Sequence, residues 1–254
     1  GCDFVKDDEN LTSQNFNKFK QRLEQTLKMR DRAERKTGEK KVYFVNVTAE
    51  TEEMIKRAKM VEREGGEYAM VDIVTVGWAG VQTLRKYTGK LKLILHGHRA
   101  MHAAFTRNPK HGVSMLTVTK FARLIGIDQL HTGTIIGKLA GGEEEVVPNN
   151  QAAALKITPE SSQQLGQNWK HIKTMLPVAS GGLHPGMVDF VVSHLGKNLA
   201  IQCGGGIHGH PKGTRSGSKA LRDAVDAATQ GIAAKDYKSE ELQQALEHWR
   251  GVKF

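Results

Sequence analysis

The sequence is poor in cysteine and aromatic residues, and it has no long apolar run. Its only cysteines among 254 residues are Cys2 and Cys203, which excludes a disulfide scaffold and a four-cysteine zinc site and favours a reducing, cytoplasmic setting. No apolar run approaches the ~18 residues that a membrane-spanning helix needs. No charged segment followed by an apolar one resembles a secretory signal. We therefore expect a globular protein that is neither secreted nor embedded in a membrane.

The formal net charge of +10 suggests either a polyanionic partner or a well-solvated lysine-rich surface. A polyanionic partner would be a nucleic acid or a phosphorylated small molecule. The lysines and arginines are spread along the chain, and no basic stripe has interleaved aromatic residues. A nucleic-acid-binding barrel without chemistry is therefore a minor alternative, and we expect no nucleic-acid partner.

Short apolar runs alternate with helical patterns along the whole chain. Strands are predicted near residues 2–6, 42–48, 69–76, 91–98, 129–135, 176–180 and 198–203, and helices near 14–36, 51–64, 79–88, 114–126, 160–171, 185–196, 214–230 and 239–249. Such repeated strand–helix units predict a parallel sheet with right-handed crossovers. An open doubly wound sheet is the alternative, but no Gly-x-Gly-x-x-Gly follows an early strand.

Seven strand–helix units are one short of the eight that close a (β/α)8 TIM barrel. The printed sequence opens at Gly1, without Met, directly in a strand-like run. We therefore predict one catalytic α/β barrel domain over residues 1–254, with its first unit lying upstream in a longer chain.

Acidic residues follow the first predicted strand, where barrels of this kind hold their active sites. Asp7, Asp8 and Glu9 place two or three carboxylates there, which suits Mg²⁺ but also suits capping of the next helix. The adjacent Lys6 either neutralises these acids or, when deprotonated, reacts as an amine. A lysine that takes up CO₂ becomes a carbamate, which is an anionic oxygen ligand.

Two glycine-rich segments follow the last two predicted strands. The segments 180–182 and 204–206 allow backbone N–H groups to approach an anion, although each is also consistent with a simple tight turn. Phosphate binding after the last two strands is common in barrels.

Basic side chains lie at other strand ends. Arg99 and His131 are candidates for a second phosphate site, and His98 is a candidate general base. Lys138 lies in a glycine-rich stretch that looks like a loop able to close over a substrate. These residues favour a barrel enzyme that uses Mg²⁺, binds a bisphosphorylated small molecule and abstracts a proton next to a carbonyl.

Five ordered segments resemble the large subunit of ribulose-1,5-bisphosphate carboxylase/oxygenase (RuBisCO). They are residues 1–10, 96–102, 131–138, 180–186 and 204–211, and the likeness extends over essentially all 254 residues. The segments 182–186 and 206–211 look most like archaeal-type form III enzymes, which serve AMP and nucleotide salvage. The resemblance implies the TIM-barrel part of the enzyme, without the family's N-terminal α+β domain.

The resemblance also implies roles for individual residues. Lys6 would carry the activating carbamate and bind Mg²⁺ together with Asp8 and Glu9. His98 would accept a proton, Lys138 would contact the incoming CO₂, and Arg99 with His131 would hold one phosphate. The other end of the substrate would be lined by Ser180, Gly181, Gly182, Gln202, Cys203, Gly204 and Gly205.

The implied reaction is Mg²⁺-dependent enolisation of ribulose 1,5-bisphosphate and addition of CO₂ or O₂, giving 3-phosphoglycerate. The implied assembly is a homodimer or a higher homo-oligomer. A RuBisCO-like enolase or isomerase that fixes no CO₂ is one alternative, and an inactive segment is another.

Overall fold

The computed structural model describes residues 1–108, 110–137 and 142–252, which fall into two compact units. The N-terminal unit comprises Asp3–Leu130 and Lys170–Met175. The C-terminal unit comprises the described residues of Gly1–Cys2, His131–Trp169 and Leu176–Phe254.

Short strands alternate with helices in both units. The strands are β1 (Phe4–Lys6), β2 (Val42–Asn46), β3 (Tyr68–Asp72), β4 (Ile94–His98), β5 (Gln129–His131), β6 (Ile157–Thr158), β7 (Gln167–Asn168), β8 (Leu176–Ser180) and β9 (Ala200–Gln202). The helices are α1 (Phe19–Thr37), α2 (Thr51–Arg63), α3 (Ile73–Leu91), α4 (Ala103–Thr106), α5 (Met115–Ile125), α6 (Glu143–Ala154), α7 (Val188–Leu195), α8 (Gly205–His208), α9 (Gly213–Gln230) and α10 (Glu240–His248). In the described part of the chain, no helix is long and apolar enough to cross a membrane.

Parallel pairing in the N-terminal unit follows the order of the chain from β1 to β5. The central strands are buried on both faces, as their continuous apolar sequences predict, and Phe44, Met70 and Leu95 are almost inaccessible to solvent. In the β3–β4 pair, Asp72 lies directly opposite His98 at the carboxyl ends of both strands. This register places polar side chains together at one edge of the sheet.

The C-terminal unit contains the end of β5 together with β8 and β9. The Thr132 N–H, just after β5, donates to the Val178 carbonyl of β8 at 3.1 Å, and β8 pairs in parallel with β9. Helices α7 and α9 pack around a core that includes Val188, Leu221 and Leu242. The alternation of parallel strands and helices in the two units confirms the predicted α/β class, with seven strand–helix units among the described residues.

The helix predicted near residues 160–171 is wrong. The region instead contains the antiparallel pair β6–β7, and the buried Trp169 indole donates to the Thr158 hydroxyl at 2.9 Å. The Thr158-Pro159-Glu160 sequence looks like a helix start, and Leu165 and Trp169 lie at helical spacing, but Leu165 is 77% exposed whereas Trp169 is buried. The helix of this region is α6, which begins with three glutamates because acidic side chains favour a helix N-terminus.

Several predicted boundaries also differ from the observed ones. The strand predicted near 69–76 ends at Asp72, where α3 begins. Helix α3 is kinked at Gly77, which has a φ of 76°, and the part after the kink contains the helix predicted near 79–88. The helix predicted near 14–36 begins only at Phe19. The strand predicted near 129–135 ends at His131, shortly before Gly133 adopts a φ of 100°, which strand residues do not take.

Candidate active site

Lys6 is the last residue of β1, and its side chain is largely buried, with 12% exposed. Its ammonium donates to the Asp7 carbonyl at 2.9 Å and lies 3.9 Å from Glu9 Oε2. Burial lowers the pKa of Lys6 below its usual value, and the nearby carboxylates, Glu9 foremost, offset part of this effect. The result is an amine whose neutral, nucleophilic form is easier to reach than that of a surface lysine.

Asp7 is a buried carboxylate that links the segment after β1 to the neighbouring elements. Its carboxylate is 2% exposed and accepts hydrogen bonds from Arg22 Nε at 2.8 Å, the Asn46 backbone N–H at 2.9 Å and the Tyr43 hydroxyl. With these three donors, Asp7 joins the segment after β1 to α1 and β2. Its position makes it an anchor of the segment rather than an open ligand.

Asp8 and Glu9 occupy different environments. Asp8 is exposed, and its Oδ1 accepts from the backbone and side-chain nitrogens of Asn10, each at 2.8 Å. The Glu9 side chain is 36% exposed, and its Oε2 lies 3.6 Å from His98 Nε2. Both carboxylates are therefore accessible to a ligand.

His98 ends β4 and is held on one side by Asp72. His98 Nδ1 lies 3.0 Å from Asp72 Oδ1, and the Asp72 side chain is only 3% exposed. The other oxygen, Asp72 Oδ2, accepts from the Asn46 amide at 3.2 Å and the Thr48 hydroxyl at 3.1 Å. The imidazole therefore has a fixed orientation, with Nε2 toward Glu9.

Asp72, Asn46 and Thr48 are not among the site residues predicted from the sequence. Asp72 lies inside the predicted strand 69–76, whereas it is the last residue of the observed β3. The available signal is the single acid that directly follows the apolar run Tyr68–Val71. An aspartate that is buried with such a run is almost always paired with another polar group.

Further basic groups follow β4. Arg99 is buried, with 4% exposed. Burial, and then the nearby charge of Arg99, lowers the pKa of His102 to about 4. His96, within β4, is fully buried against Gln129 at 3.2 Å. Burial, the leading cause, lowers the pKa of His96 to about 3, so it remains neutral.

An open cavity of about 540 Å³ adjoins these groups in the N-terminal unit. Polar residues outnumber apolar ones in its lining, which consists of Glu9, Asn10, Thr12, Ser13, Thr48, Ala49, Glu50, Thr51, Asp72, Thr75, Val76, Ala100 and Met101. The cavity is large enough for a small phosphorylated molecule.

In the C-terminal unit, His131 and Ser180 meet at the ends of β5 and β8. His131 Nδ1 lies 2.6 Å from Ser180 Oγ, and both residues are buried. Gly181 and Gly182 follow with φ angles of 122° and 69°, a backbone region that favours glycine. A Cβ on Gly137 would lie 2.2 Å from the Gly181 carbonyl, so these two backbones approach each other closely.

The second glycine segment follows β9. Gln202 ends the strand, and its Oε1 is buried without a hydrogen-bond partner among the described atoms. Burial raises the pKa of the Cys203 thiol to about 12, so the thiol stays protonated. Gly204 and Gly205 are exposed, and neither has a neighbour within 4 Å of an added Cβ, which leaves their backbone open to a ligand.

The structure therefore brings Lys6, Glu9 and His98 together in one unit and His131 and Ser180 together in the other. Asp8 and Arg99 lie on the segments beside the first group. Lys138 lies outside the described residues. The assigned roles of these residues remain predictions.

No three His, Cys, Asp or Glu side chains among the described residues are arranged to hold a metal ion. Asp8 and Glu9 supply oxygen donors of the kind that Mg²⁺ prefers, and a carbamate on Lys6 would add a third anionic oxygen. The donor set therefore fits Mg²⁺ once Lys6 is modified.

Parallel strand–helix units with buried basic and acidic groups at the strand ends define a catalytic domain of the (β/α)-barrel class. The profile of the ribulose bisphosphate carboxylase large chain, catalytic domain, matches residues 1–249. The chain belongs to this family, which confirms the resemblance.

Similar proteins and structures come from archaea. The ribulose bisphosphate carboxylase of Pyrococcus abyssi is 49% identical over 100% of this chain, and that of Methanosarcina acetivorans is 51% identical over 98%. The dimeric archaeal Rubisco from Hyperthermus butylicus superposes with a TM-score of 0.92 at 45% identity, covering 99% of this chain and 59% of that one. The octameric Rubisco from Pyrococcus horikoshii, crystallised with sulfate, has a TM-score of 0.91 at 48% identity, with coverages of 100% and 57%.

The chain spans 57% of the length of the Pyrococcus abyssi relative and 59% of that of Methanosarcina acetivorans.

Proposed function

We propose that this chain supplies the barrel part of a ribulose-1,5-bisphosphate carboxylase/oxygenase. The observation that carries the proposal is the cluster of the largely buried Lys6 and His98 with Glu9, in which the Lys6–Glu9 and His98–Glu9 pairs lie 3.9 and 3.6 Å apart. A family relationship alone does not establish chemistry, whereas a buried amine, a carboxylate and an imidazole in contact form a site suited to acid–base work.

Lys6 is the group to be activated. Its neutral amine would attack CO₂, forming an N–C bond while one C=O π bond opens and its electron pair moves to oxygen. Loss of one N–H proton to solvent then leaves a carbamate whose single negative charge is shared by two oxygen atoms. The lowered pKa of Lys6 favours this step because only the neutral amine has the required electron pair. The carbamate would then take the C3 proton of ribulose 1,5-bisphosphate.

Asp8, Glu9 and the modified Lys6 would hold Mg²⁺. When bound, the metal would supply a Lewis acid that stabilises negative charge developing on substrate oxygens. His98 would accept a proton at Nε2, the nitrogen that does not face Asp72. Arg99 lies directly after His98 and would bind a substrate phosphate.

In the C-terminal unit, His131 and Ser180 would contact the substrate. The N–H groups of Gly181 and Gly182, and those of the open backbone at Gly204 and Gly205, would bind phosphate. Gln202 and Cys203 would line that end of the substrate, and Lys138 would contact CO₂. O₂ would compete with CO₂ as the second substrate.

We further propose a homo-oligomeric assembly in the cytoplasm, since the similar archaeal Rubiscos are described as dimeric or octameric. Their archaeal origin also favours a role in AMP and nucleotide salvage.

Fixation of labelled CO₂ into 3-phosphoglycerate tests the proposal. The full natural chain containing these residues is incubated with CO₂ and Mg²⁺ before ribulose 1,5-bisphosphate is added. We expect fixation by the wild type and by Lys20→Ala, whose lysine is 65% exposed, and loss of fixation in Lys6→Ala. Exchange of the C3 proton without fixation would instead indicate a non-carboxylating enolase, and fixation by Lys6→Ala would refute the role of Lys6.

A further inference from the structure

We propose that Asp72 is a positioning residue that holds the His98 imidazole in the tautomer protonated on Nδ1. Nε2 is then left unprotonated and able to accept a proton. The inference rests on the function proposed above, in which His98 is the proton acceptor, and it assigns a role to a carboxylate outside the predicted set.

The first step of the argument is the contact itself. Asp72 and His98 lie opposite each other in the β3–β4 register, and Oδ1 lies 3.0 Å from Nδ1. Both side chains are mostly buried, with 3% and 13% exposed. An ionised carboxylate only accepts hydrogen bonds, so a bond at this distance requires the proton on Nδ1.

The second step is the direction of the bonds around Asp72. The Thr48 backbone N–H donates to Asn46 Oδ1 at 3.0 Å, which turns the Asn46 amide nitrogen toward Asp72 Oδ2. The Asp72 backbone N–H donates to Thr48 Oγ1 at 2.9 Å, so the Thr48 hydroxyl proton is directed to the same Oδ2. Oδ2 thus has two donors, and Oδ1 is the oxygen that serves His98.

Two neighbours favour the opposite tautomer: Glu9 Oε2 lies 3.6 Å from Nε2, which is longer than an ordinary hydrogen bond, and a backbone N–H faces Nδ1. The Ala100 backbone N–H lies 3.1 Å from His98 Nδ1 and would donate to it if that nitrogen were unprotonated. That state would place the Nδ1 lone pair 3.0 Å from a carboxylate oxygen inside a buried site, where such repulsion is poorly screened. A charge-assisted bond to a carboxylate is also stronger than a neutral one, so the bond to Asp72 prevails.

This arrangement makes Asp72→Asn a specific probe. Asn46 and Thr48 both donate toward the Oδ2 position, so the new amide oxygen takes that place and the amide nitrogen faces His98. That nitrogen donates to Nδ1, which moves the imidazole proton to Nε2 and leaves His98 unable to accept a proton there. Because the two side chains have nearly the same shape, the fold is retained.

The test is solid-state ¹⁵N NMR of histidine-labelled protein, made from the full natural chain at a pH where the imidazoles are neutral. Loss of a signal in His98→Gln assigns His98. We expect the Nδ1–H form in the wild type, the Nε2–H form in Asp72→Asn, and a fall in kcat of about 10²–10⁴-fold in that variant with a much smaller change in KM. The matched control is Asp128→Asn, which removes a carboxylate bonded to Arg85 and to the Leu95 N–H near the other end of β4, and which should leave the His98 signal unchanged.

The Nε2–H form in the wild type would overturn the inference, as would an unchanged His98 signal or an unchanged kcat in Asp72→Asn. Absence of carboxylation in the wild type would contradict the proposed function. The NMR result is independent of activity, so the two failures are distinguishable.

Discussion

The buried carboxylate of Asp7 gives the sharpest test of how the site is supported. We expect Asp7→Ala to lower the free energy of unfolding by about 3–5 kcal/mol, the usual cost of breaking a buried ion pair from one side. The variant leaves Arg22, whose side chain is 5% exposed, without its only carboxylate partner among the described residues, and it removes the acceptor of the Asn46 N–H. Arg22 still donates to the carbonyls of Leu11 and Asn17, which limits the loss.

Urea unfolding followed by circular dichroism measures this loss, provided that the m value stays constant. Asp31→Ala is the matched control because it breaks an aspartate–arginine pair of similar length, 2.7 Å to Arg30, on the same unit. The Asp31 side chain is 44% exposed, so we expect a loss of about 1 kcal/mol or less.

Replacing both partners, in Asp7→Ala with Arg22→Leu, should cost less than the sum of the single changes, since no unpaired charge remains buried. Equal losses in Asp7→Ala and Asp31→Ala would refute the reasoning. They would mean that the buried network around Asp7 contributes no more than a surface pair does.

Two further predictions concern other buried positions. His96, whose pKa burial lowers from 6.5 to about 3, binds its proton only in the unfolded chain between these pH values. The free energy of unfolding should therefore fall by about 1.4 kcal/mol per pH unit as the pH drops below about 6.5. Urea unfolding at several pH values should give a shallower dependence of this free energy on pH in His96→Gln than in the wild type. Equal slopes would contradict the lowered pKa of His96. A Cβ on Gly206 would lie 2.2 Å from the Leu183 carbonyl, so Gly206→Ala should lose about 1–3 kcal/mol. In the control Gly204→Ala, the added Cβ has no neighbour within 4 Å, so stability should change little. Similar urea midpoints for the two variants would show that the backbone at Gly206 shifts to accommodate the added Cβ.

Much of the fold was predictable because strands that are buried on both faces of a parallel sheet have nearly continuous apolar sequences. The runs at Val42–Asn46 and Leu176–Ser180 became strands, with polar residues at their carboxyl ends as expected. The region 160–171 was not predictable in this way, because a Thr-Pro-Glu sequence is compatible with both a helix start and a turn. Only the packing of Trp169 against Thr158 distinguishes the two.

The candidate site was predictable where residue type alone suggests chemistry. Lys6 and Glu9 are three residues apart, and the turn after β1 brings their side chains within 3.9 Å. Asp72 could not be paired with His98 from sequence, since 26 residues separate them and only the β3–β4 register brings them together. The sequence likewise does not distinguish the buried Asp7 from its exposed neighbour Asp8, because burial depends on where Arg22 folds back.

The β3–β4 register also limits how the length of this chain can change during evolution. Successive side chains of a strand point to opposite faces, so inserting or deleting one residue within Ile94–His98 would turn His98 away from Asp72. Lys92 and Leu93 connect α3 to β4 at the other end of the strand, where an added residue would leave the pairing intact. Natural insertions and deletions in homologous chains should therefore concentrate in such connections and be absent from the two strands.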